Sequence, residues 1–458
     1  MVETQAPTTI EGFRGHLLAS GDDGYEQVRF TWNRMFDKRP ALIARCTGVA
    51  DVIAGVNYAR ENGLLLSVRG GGHSVPGHST CDDGLLIDLS LMKSVRVDPA
   101  ARTARAEGGV NWGTFDHEAQ AFGLGSTGGQ VSTTGVAGLT LGGGIGWLMR
   151  KHGLACDNLI SADVVTAQGE LVTASAAHNE DLFWGLRGGG GNFGIATSLE
   201  YQVHDVGLVF GGAVMHPAER GREVLEFFRE FCPTTPDELT TYALFATAPP
   251  APFVPPEMVG TPIVILAGCY AGPLDEGERV LQPLRELGSP PIDLFQPLPY
   301  AALQGMFDET APAGHSYYIK GDYIPEVSDD LIEALTEQAA AMPGHHCEIH
   351  LGQMGGVAAR VGEDDTAFAH RDADFVFIGI AHWLEPSEEE AQLSWVRGIG
   401  DAVRPHSVGA YVNFLGDEGD ERIRFAYGSE EKYGRLVELK RKWDPQNLFC
   451  LNQNIKPS

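Results

Sequence analysis

Arg69-Gly70-Gly71-Gly72-His73-Ser74 follows an apolar run, 64–68, with three consecutive glycines and then an imidazole. Glycine amides can aim several N–H donors at one anion, which suits a pyrophosphate. A neutral imidazole beside them is a nucleophile near neutral pH. Three more glycine clusters lie at 128–129, 138–146 and 188–191. One such cluster reads as tight turns. Four, one of them closed by a histidine, point to a large phosphate-bearing cofactor. Two strings match GxGxxG, at 123–128 and 189–194, but the dinucleotide fingerprint needs a strand before and a helix after. The first follows a predicted helix and the second runs into a strand-like 195–203, so neither is a Rossmann loop.

Two polar clusters could supply a base. Tyr317-Tyr318-Ile319-Lys320-Gly321-Asp322-Tyr323, as a strand, puts Tyr318, Lys320 and Asp322 on one face and Tyr317, Ile319 and Tyr323 on the other. A solvated strand edge explains it as well as a proton-handling site does. In His345-His346-Cys347-Glu348-Ile349-His350 the alternation brings His346, Glu348 and His350 together. Zinc sites are more widely assembled, so this cluster reads as substrate-facing acid–base residues and no metal site is expected.

The elements that must position these residues change character near Val203. Before it, short strands at 41–48, 64–68, 84–89, 95–97 and 103–107 are interleaved with helices at 49–61 and 111–122. After it, amphipathic helices at 217–231, 274–287, 328–342 and 387–403 alternate with strands at 262–269, 347–351 and 375–380. A last helix, 429–442, stops at Asp444-Pro445. The pattern predicts an α+β chain of two domains, 1–203 completed by 405–458, and 204–404 with an antiparallel sheet covered by helices. At 458 residues two cores are the natural expectation.

The net charge of −28 disfavours nucleic acid and anionic membranes as partners. Seven scattered cysteines, an odd number with no CxxC, indicate neither a disulfide framework nor a zinc knuckle. No basic-then-apolar leader and no membrane-length apolar run occur, so a cytoplasmic protein, monomer or homodimer, is expected.

Taken together, RGGGHS at 69–74, IDLS at 87–90, GGGIG at 142–146, RKHGL at 150–154, DLFW at 181–184, GGGGNFG at 188–194, TAFAHR at 366–371, YVNF at 411–414 and NQNI at 452–455 resemble the berberine-bridge-enzyme-like branch of the vanillyl-alcohol-oxidase (PCMH-type) flavoproteins. The resemblance runs over almost the whole chain. It implies a PCMH-type FAD domain, with FAD bonded through its 8α carbon to His73. It also implies a cofactor site drawn from Arg69, Gly70, Gly71, Gly72, His73, Ser74, Gly77, His78, Gly128, Thr134, Gly135, Gly138, Gly142, Gly143, Gly146, Ile195, Asn413, Asn452 and Asn454. Some relatives add a cysteinyl link about seven residues before the GxxxGGG stretch. Here that count from Gly138 reaches Val131, so a single link is expected.

The implied reaction is an oxidase reaction. A small secondary-metabolite or sugar-like substrate passes hydride from an alcohol or amine carbon to flavin N5, and O2 reoxidises the flavin to give H2O2. Many relatives carry tyrosine where Phe414 stands. A phenyl ring is no base, so the candidates are Tyr318, Lys320, His350, Tyr411 and Asn413, with Glu348 and Gln353 close by. The alternatives are a flavin dehydrogenase using another acceptor, or a flavin-carrying protein that binds a drug.

Overall fold

The computed structural model describes residues 9–457. His16–Ala19 (β1), Leu42–Arg45 (β2), Leu66–Arg69 (β3) and Leu85–Asp88 (β4) form a sheet in the order β1-β2-β4-β3. Its β2, β4 and β3 run parallel, so a crossover must join β2 to β3. The helix Val49–Asn62 makes that crossover, closing on Gly63 at φ 62°. Parallel strands are covered on both faces and read as apolar runs, and all four residues of β4 are buried.

Val95–Asp98 (β5) and Thr103–Glu107 (β6) form the hairpin foreseen around Asp98-Pro99. They join an antiparallel sheet, β5-β6-β10-β8-β9, with Leu159–Val165 (β8), Leu171–Ser175 (β9) and Ile195–Gln202 (β10). Leu124–Gly125 (β7) and His204–Asp205 (β11) form a short ribbon. The helix foreseen at 111–122 spans Trp112–Gln120, and the Asn111 side chain accepts the free Thr114 N–H at its start.

The third sheet has nine strands: Leu208–Pro217 (β12), Leu239–Thr247 (β13), Pro262–Tyr270 (β14), Ile292–Asp293 (β15), Gln296–Pro299 (β16), Ser316–Ile324 (β17), Cys347–Gln353 (β18), Phe375–Trp383 (β19) and Gly409–Ala410 (β20). All its pairings are antiparallel. The helices Gly221–Phe231, Leu274–Glu286, Asp329–Ala340 and Glu389–Val403 bury their apolar faces on one side of it. The fold is the expected α+β one.

Two of these helices begin later than foreseen. Single turns at Ala218–Arg220 and Pro386–Glu388 precede them in the tighter 3-10 geometry. The short helices Val136–Leu141, Glu180–Leu186 and Asp420–Tyr427 were not foreseen. The middle one buries five consecutive residues, Leu182–Leu186, so it shows no amphipathic period.

The C-terminal helix Glu430–Trp443, capped by the Ser429 hydroxyl, returns the chain to the first half. Lys440 Nζ, fully buried, donates to Asn192 O at 2.8 Å, Phe449 O at 2.8 Å and the equally buried Asp444 carboxylate at 2.7 Å. Removing one partner of a buried pair strands the other charge. Lys440→Met is therefore expected to cost about 3 kcal/mol of unfolding free energy, read as a lowered midpoint in urea denaturation with an unchanged slope.

Candidate functional site

A cavity of about 380 Å³ lies between the glycine loops of the first half and the bare face of the third sheet. Its floor is made by two backbones in contact. A methyl carbon added at Gly71 would lie 2.4 Å from Gly135 Cα, and one at Gly70 would lie 2.7 Å from Gly108 O. Only glycine permits that approach. The loop starts from an anchored residue, since buried Arg69 pairs with buried Asp88 at 2.8 Å. Burial by itself would raise the Asp88 pKa; hydrogen bonds from Arg69 and Ser90 outweigh it and hold the carboxyl below the usual range.

His73 lines the cavity. Its ring stacks on Trp32 at 4.6 Å, and its Nε2 meets the Thr133 hydroxyl at 2.8 Å. Burial lowers its pKa to about 4, so the imidazole is neutral at physiological pH with a lone pair available. Trp32 in turn stacks on Tyr317 at 3.7 Å and donates its Nε1–H to Ala311 O. The first half thereby meets the third sheet beside the imidazole.

Strand alternation decides which residues of the third sheet reach the cavity. Tyr317 and Ile319 of β17, Glu348 and His350 of β18, and Ile378 and Ile380 of β19 line it. Glu348 pairs in register with Ile380, which pairs with Ile319, so the three point the same way across adjacent strands. His350 Nε2 lies 2.6 Å from Glu348 Oε2.

Tyr318 and Lys320, expected as catalytic candidates, are placed on the opposite face. Lys320 Nζ pairs with Glu418 at 2.5 Å, and the Tyr318 ring packs with the covering helices beneath Arg397. The one-face grouping with Asp322, which pairs with Arg422, was right; the face was the wrong one. A solvated edge is also overturned, because Lys320 is buried beside Gly400.

Tyr411 and Asn413 line the cavity but are already engaged. Asn413 Nδ2 donates to Leu139 O at 3.0 Å and to the Tyr411 hydroxyl at 2.9 Å. That hydroxyl also accepts the Ile145 N–H. Burial pushes the Tyr411 phenol up to about 12. Gln353 is likewise occupied, by Thr241, Thr235 and Cys232 O. His346 packs on His382 at 4.5 Å instead of joining Glu348 and His350.

Of the expected cofactor residues, Gly70, Gly71, Gly72, His73, Ser74, His78, Thr134, Gly135, Gly138, Ile195, Asn413 and Asn452 line the cavity. Arg69, Gly77, Gly128, Gly142, Gly143, Gly146 and Asn454 do not. These glycines are small for the sake of protein neighbours. Gly77 faces Phe36, Gly128 faces Trp112, Gly142 faces Asn413, Gly143 faces Phe368 and Gly146 faces Gly128 O. Arg69 is spent on Asp88 and on the carbonyls of Val28 and Phe30.

Sequence reasoning missed Trp32, Thr133, Ser79, Gln130 and Phe307. Only Thr133 and Gln130, between two glycine clusters, carried any local signal.

The cavity suits a flavin dinucleotide. Bare glycine backbone is available at 70–72, 135 and 190–191 for phosphates. Two side-chain atoms on lining residues, Ser79 Oγ and Asn452 Oδ1, are buried without partners among the described residues. Such atoms are costly unless a ligand meets them.

Known proteins match this arrangement. A family profile described as "FAD binding domain" matches residues 40–175, and another described as "Berberine and berberine like" matches 410–456. An FAD-linked oxidoreductase of Dictyostelium discoideum is 33% identical over 98% of this chain and 96% of its own length. The chain belongs to the berberine-bridge-enzyme-like family of FAD-linked oxidoreductases.

The (R)-6-hydroxynicotine oxidase of Paenarthrobacter nicotinovorans is 31% identical to this oxidoreductase over 97% of both chains. The crystal structure of 6-hydroxy-D-nicotine oxidase from Arthrobacter nicotinovorans superposes with a TM-score of 0.87 over 100% of both chains at 29% identity. The PCMH-type architecture is therefore that of the oxidoreductase. Among the described residues no helix is long and apolar enough to cross a membrane.

Gly71→Ala forces the two loops apart and is expected to cost about 1–3 kcal/mol of stability and to lower bound flavin per protein. Gly138→Ala, whose added carbon meets nothing within 4 Å, is expected to leave the cofactor-free fold intact. In cofactor-free protein the His73 ring, followed by NMR, is expected to titrate near 4 instead of 6.5. The unfolded ring takes up its proton at higher pH than the folded one. Acidification through 6.5 therefore weakens the fold, and this contribution is fully lost below about 4.

Proposed function

We propose that this oxidoreductase is an oxidase carrying FAD on His73 through one 8α-histidyl bond, and that it oxidises an alcohol or amine carbon of a small molecule. The observation that carries the reading is the His73 imidazole, braced by Trp32 and Thr133 at the wall of a glycine-floored cavity. When bound, FAD would supply the hydride acceptor, with O2 as the proposed final acceptor and H2O2 as its product.

The protein supplies position and proton handling. Gly70–Gly72 and Gly135, which line the cavity, would offer backbone amides to the phosphates. Ser79 and Asn452 offer polar atoms that lack protein partners among the described residues. Val131 lines the cavity and has no thiol for a second bond. Above the cofactor space, the Glu348–His350 pair is the base: the carboxylate orients the imidazole and balances the charge it gains on taking the substrate proton. Phe414, Phe307 and the isoleucines Ile319, Ile378 and Ile380 exclude water from the reacting centre. The kinship with an (R)-6-hydroxynicotine oxidase fits a small substrate of this kind.

The test is direct. Acid-precipitated wild-type protein is expected to stay yellow, with the flavin on the peptide bearing His73, while precipitated His73→Ala is expected to be white. A colourless wild-type precipitate would refute the covalent bond. His350→Ala is expected to lower kcat/KM by about 10²–10⁴-fold without loss of colour. Peroxide formed in step with substrate consumption would establish O2 as the acceptor; turnover only with an artificial dye would not.

A further inference from the structure

We infer that Thr133 is the positioning residue for flavin attachment: its hydroxyl holds the His73 proton on Nε2 and so keeps the lone pair on Nδ1. This rests on the covalent reading above and assigns a further residue to its chemistry. A neutral imidazole has one N–H and one lone pair, and the hydrogen bond at one nitrogen decides what the other can do. Nε2 lies 2.8 Å from the Thr133 hydroxyl, whereas Nδ1 has no hydrogen-bond partner among the described residues. The nitrogen left over belongs to a side chain that lines the cavity.

Stacking alone does not choose the nitrogen. Trp32 lies 4.6 Å from the His73 ring and within 17° of its plane. A half-turn of the imidazole would keep that stack while placing carbon Cε1 against Thr133, so the hydroxyl breaks the two-fold ambiguity. Its own place is fixed from two sides. Thr133 sits in a turn closed by the Thr134 N–H on Val131 O at 3.0 Å, and the Ser132 carbonyl accepts the Gly113 N–H at 2.8 Å. From the third-sheet half, Asp308 accepts the Ser132 N–H and hydroxyl at 2.7 and 2.6 Å. Thr133 is itself exposed, which gives its hydroxyl access to water.

The chemistry balances. The Nδ1 lone pair forms the bond to the 8α carbon, and that carbon loses one hydrogen as a proton. The electron pair of the broken C–H bond stays on FAD until O2 takes it up. The ring, now substituted at Nδ1, is a cation with its proton still on Nε2. Burial disfavours that charge. The Thr133 hydroxyl passes the proton to water and then turns to donate to the freed Nε2 lone pair. Two protons and one electron pair thus reach O2 as H2O2. A hydroxyl can accept first and donate afterwards; a methyl group in its place does neither.

The experiment adds FAD to cofactor-free, full-length protein in air and follows the pigment retained by acid-precipitated samples over time. Thr133→Val is expected to slow attachment roughly tenfold, the scale of one lost hydrogen bond. Thr133→Ser, which keeps the hydroxyl, is expected to attach FAD at the wild-type rate. Reversible FAD affinity is measured separately in His73→Ala, with and without Thr133→Val, and is expected to be the same in both. Equal attachment rates in wild type and Thr133→Val, or a slowing that Thr133→Ser shares, overturn the inference and leave the covalent bond standing. A loss of reversible affinity in the double variant as large as the slowing also overturns it, because Thr133 would then only shape the loop. A wild-type chain that never retains pigment overturns the bond and the inference together.

Discussion

The contact between Gly71 and Gly135 is the constraint on which the rest of the site depends. Two backbones meet at a distance that no Cβ survives. This contact turns a loop after β3 and a loop before the helix Val136–Leu141 into one floor. Arg69 and Asp88, buried at the ends of parallel neighbours, fix where the first loop departs. His73 can then stand at a set place on the cavity wall, with Trp32 against one face of its ring and Thr133 on one nitrogen.

The opposite wall is decided by pleat parity. A nine-stranded sheet packed by helices on one side must turn alternate residues toward them, and the rest remain for the cavity. In β18 the helices receive Cys347, Ile349 and Leu351, and the cavity receives Glu348 and His350. In β17 the same rule gives Tyr317 and Ile319 to the cavity. It sends Lys320 and Asp322 outward, to Glu418 and Arg422 near the C-terminal segment. Those ion pairs tie the sheet to the returning tail, as Lys440 and Asp444 tie the tail to Asn192.

The two halves are also joined beside the site. Asp308 accepts both the backbone N–H and the hydroxyl of Ser132, at 2.7 and 2.6 Å, one residue from the Thr133 that holds His73. Gln304 reaches the Gly129 carbonyl and Asp116, a carboxyl that burial raises to about 7. Phe307, between these anchors, stacks on Trp147 at 5.9 Å and closes the cavity from that side.

Much of this was legible in the amino-acid order. The amphipathic helices, the strands of β-branched and apolar residues and the glycine loops are local features, written in residue type and period. So was the grouping of Glu348 with His350, because side chains two apart in a strand share a face. What the sequence could not hold is which face that would be, since alternation is the same whichever side the helices cover. This is why Tyr318 and Lys320 were assigned to the wrong side of β17. Nor could it hold Trp32, 41 positions before His73, or Phe307 and the Asp308–Ser132 bond. Contacts between distant segments follow from packing the first half against the third sheet, and no local pattern marks them. Only the tertiary structure separated the glycines that face the cavity from those that yield to Trp112, Phe36, Phe368 and Asn413. A missing side chain looks the same in sequence whether a ligand or a neighbouring side chain takes its place.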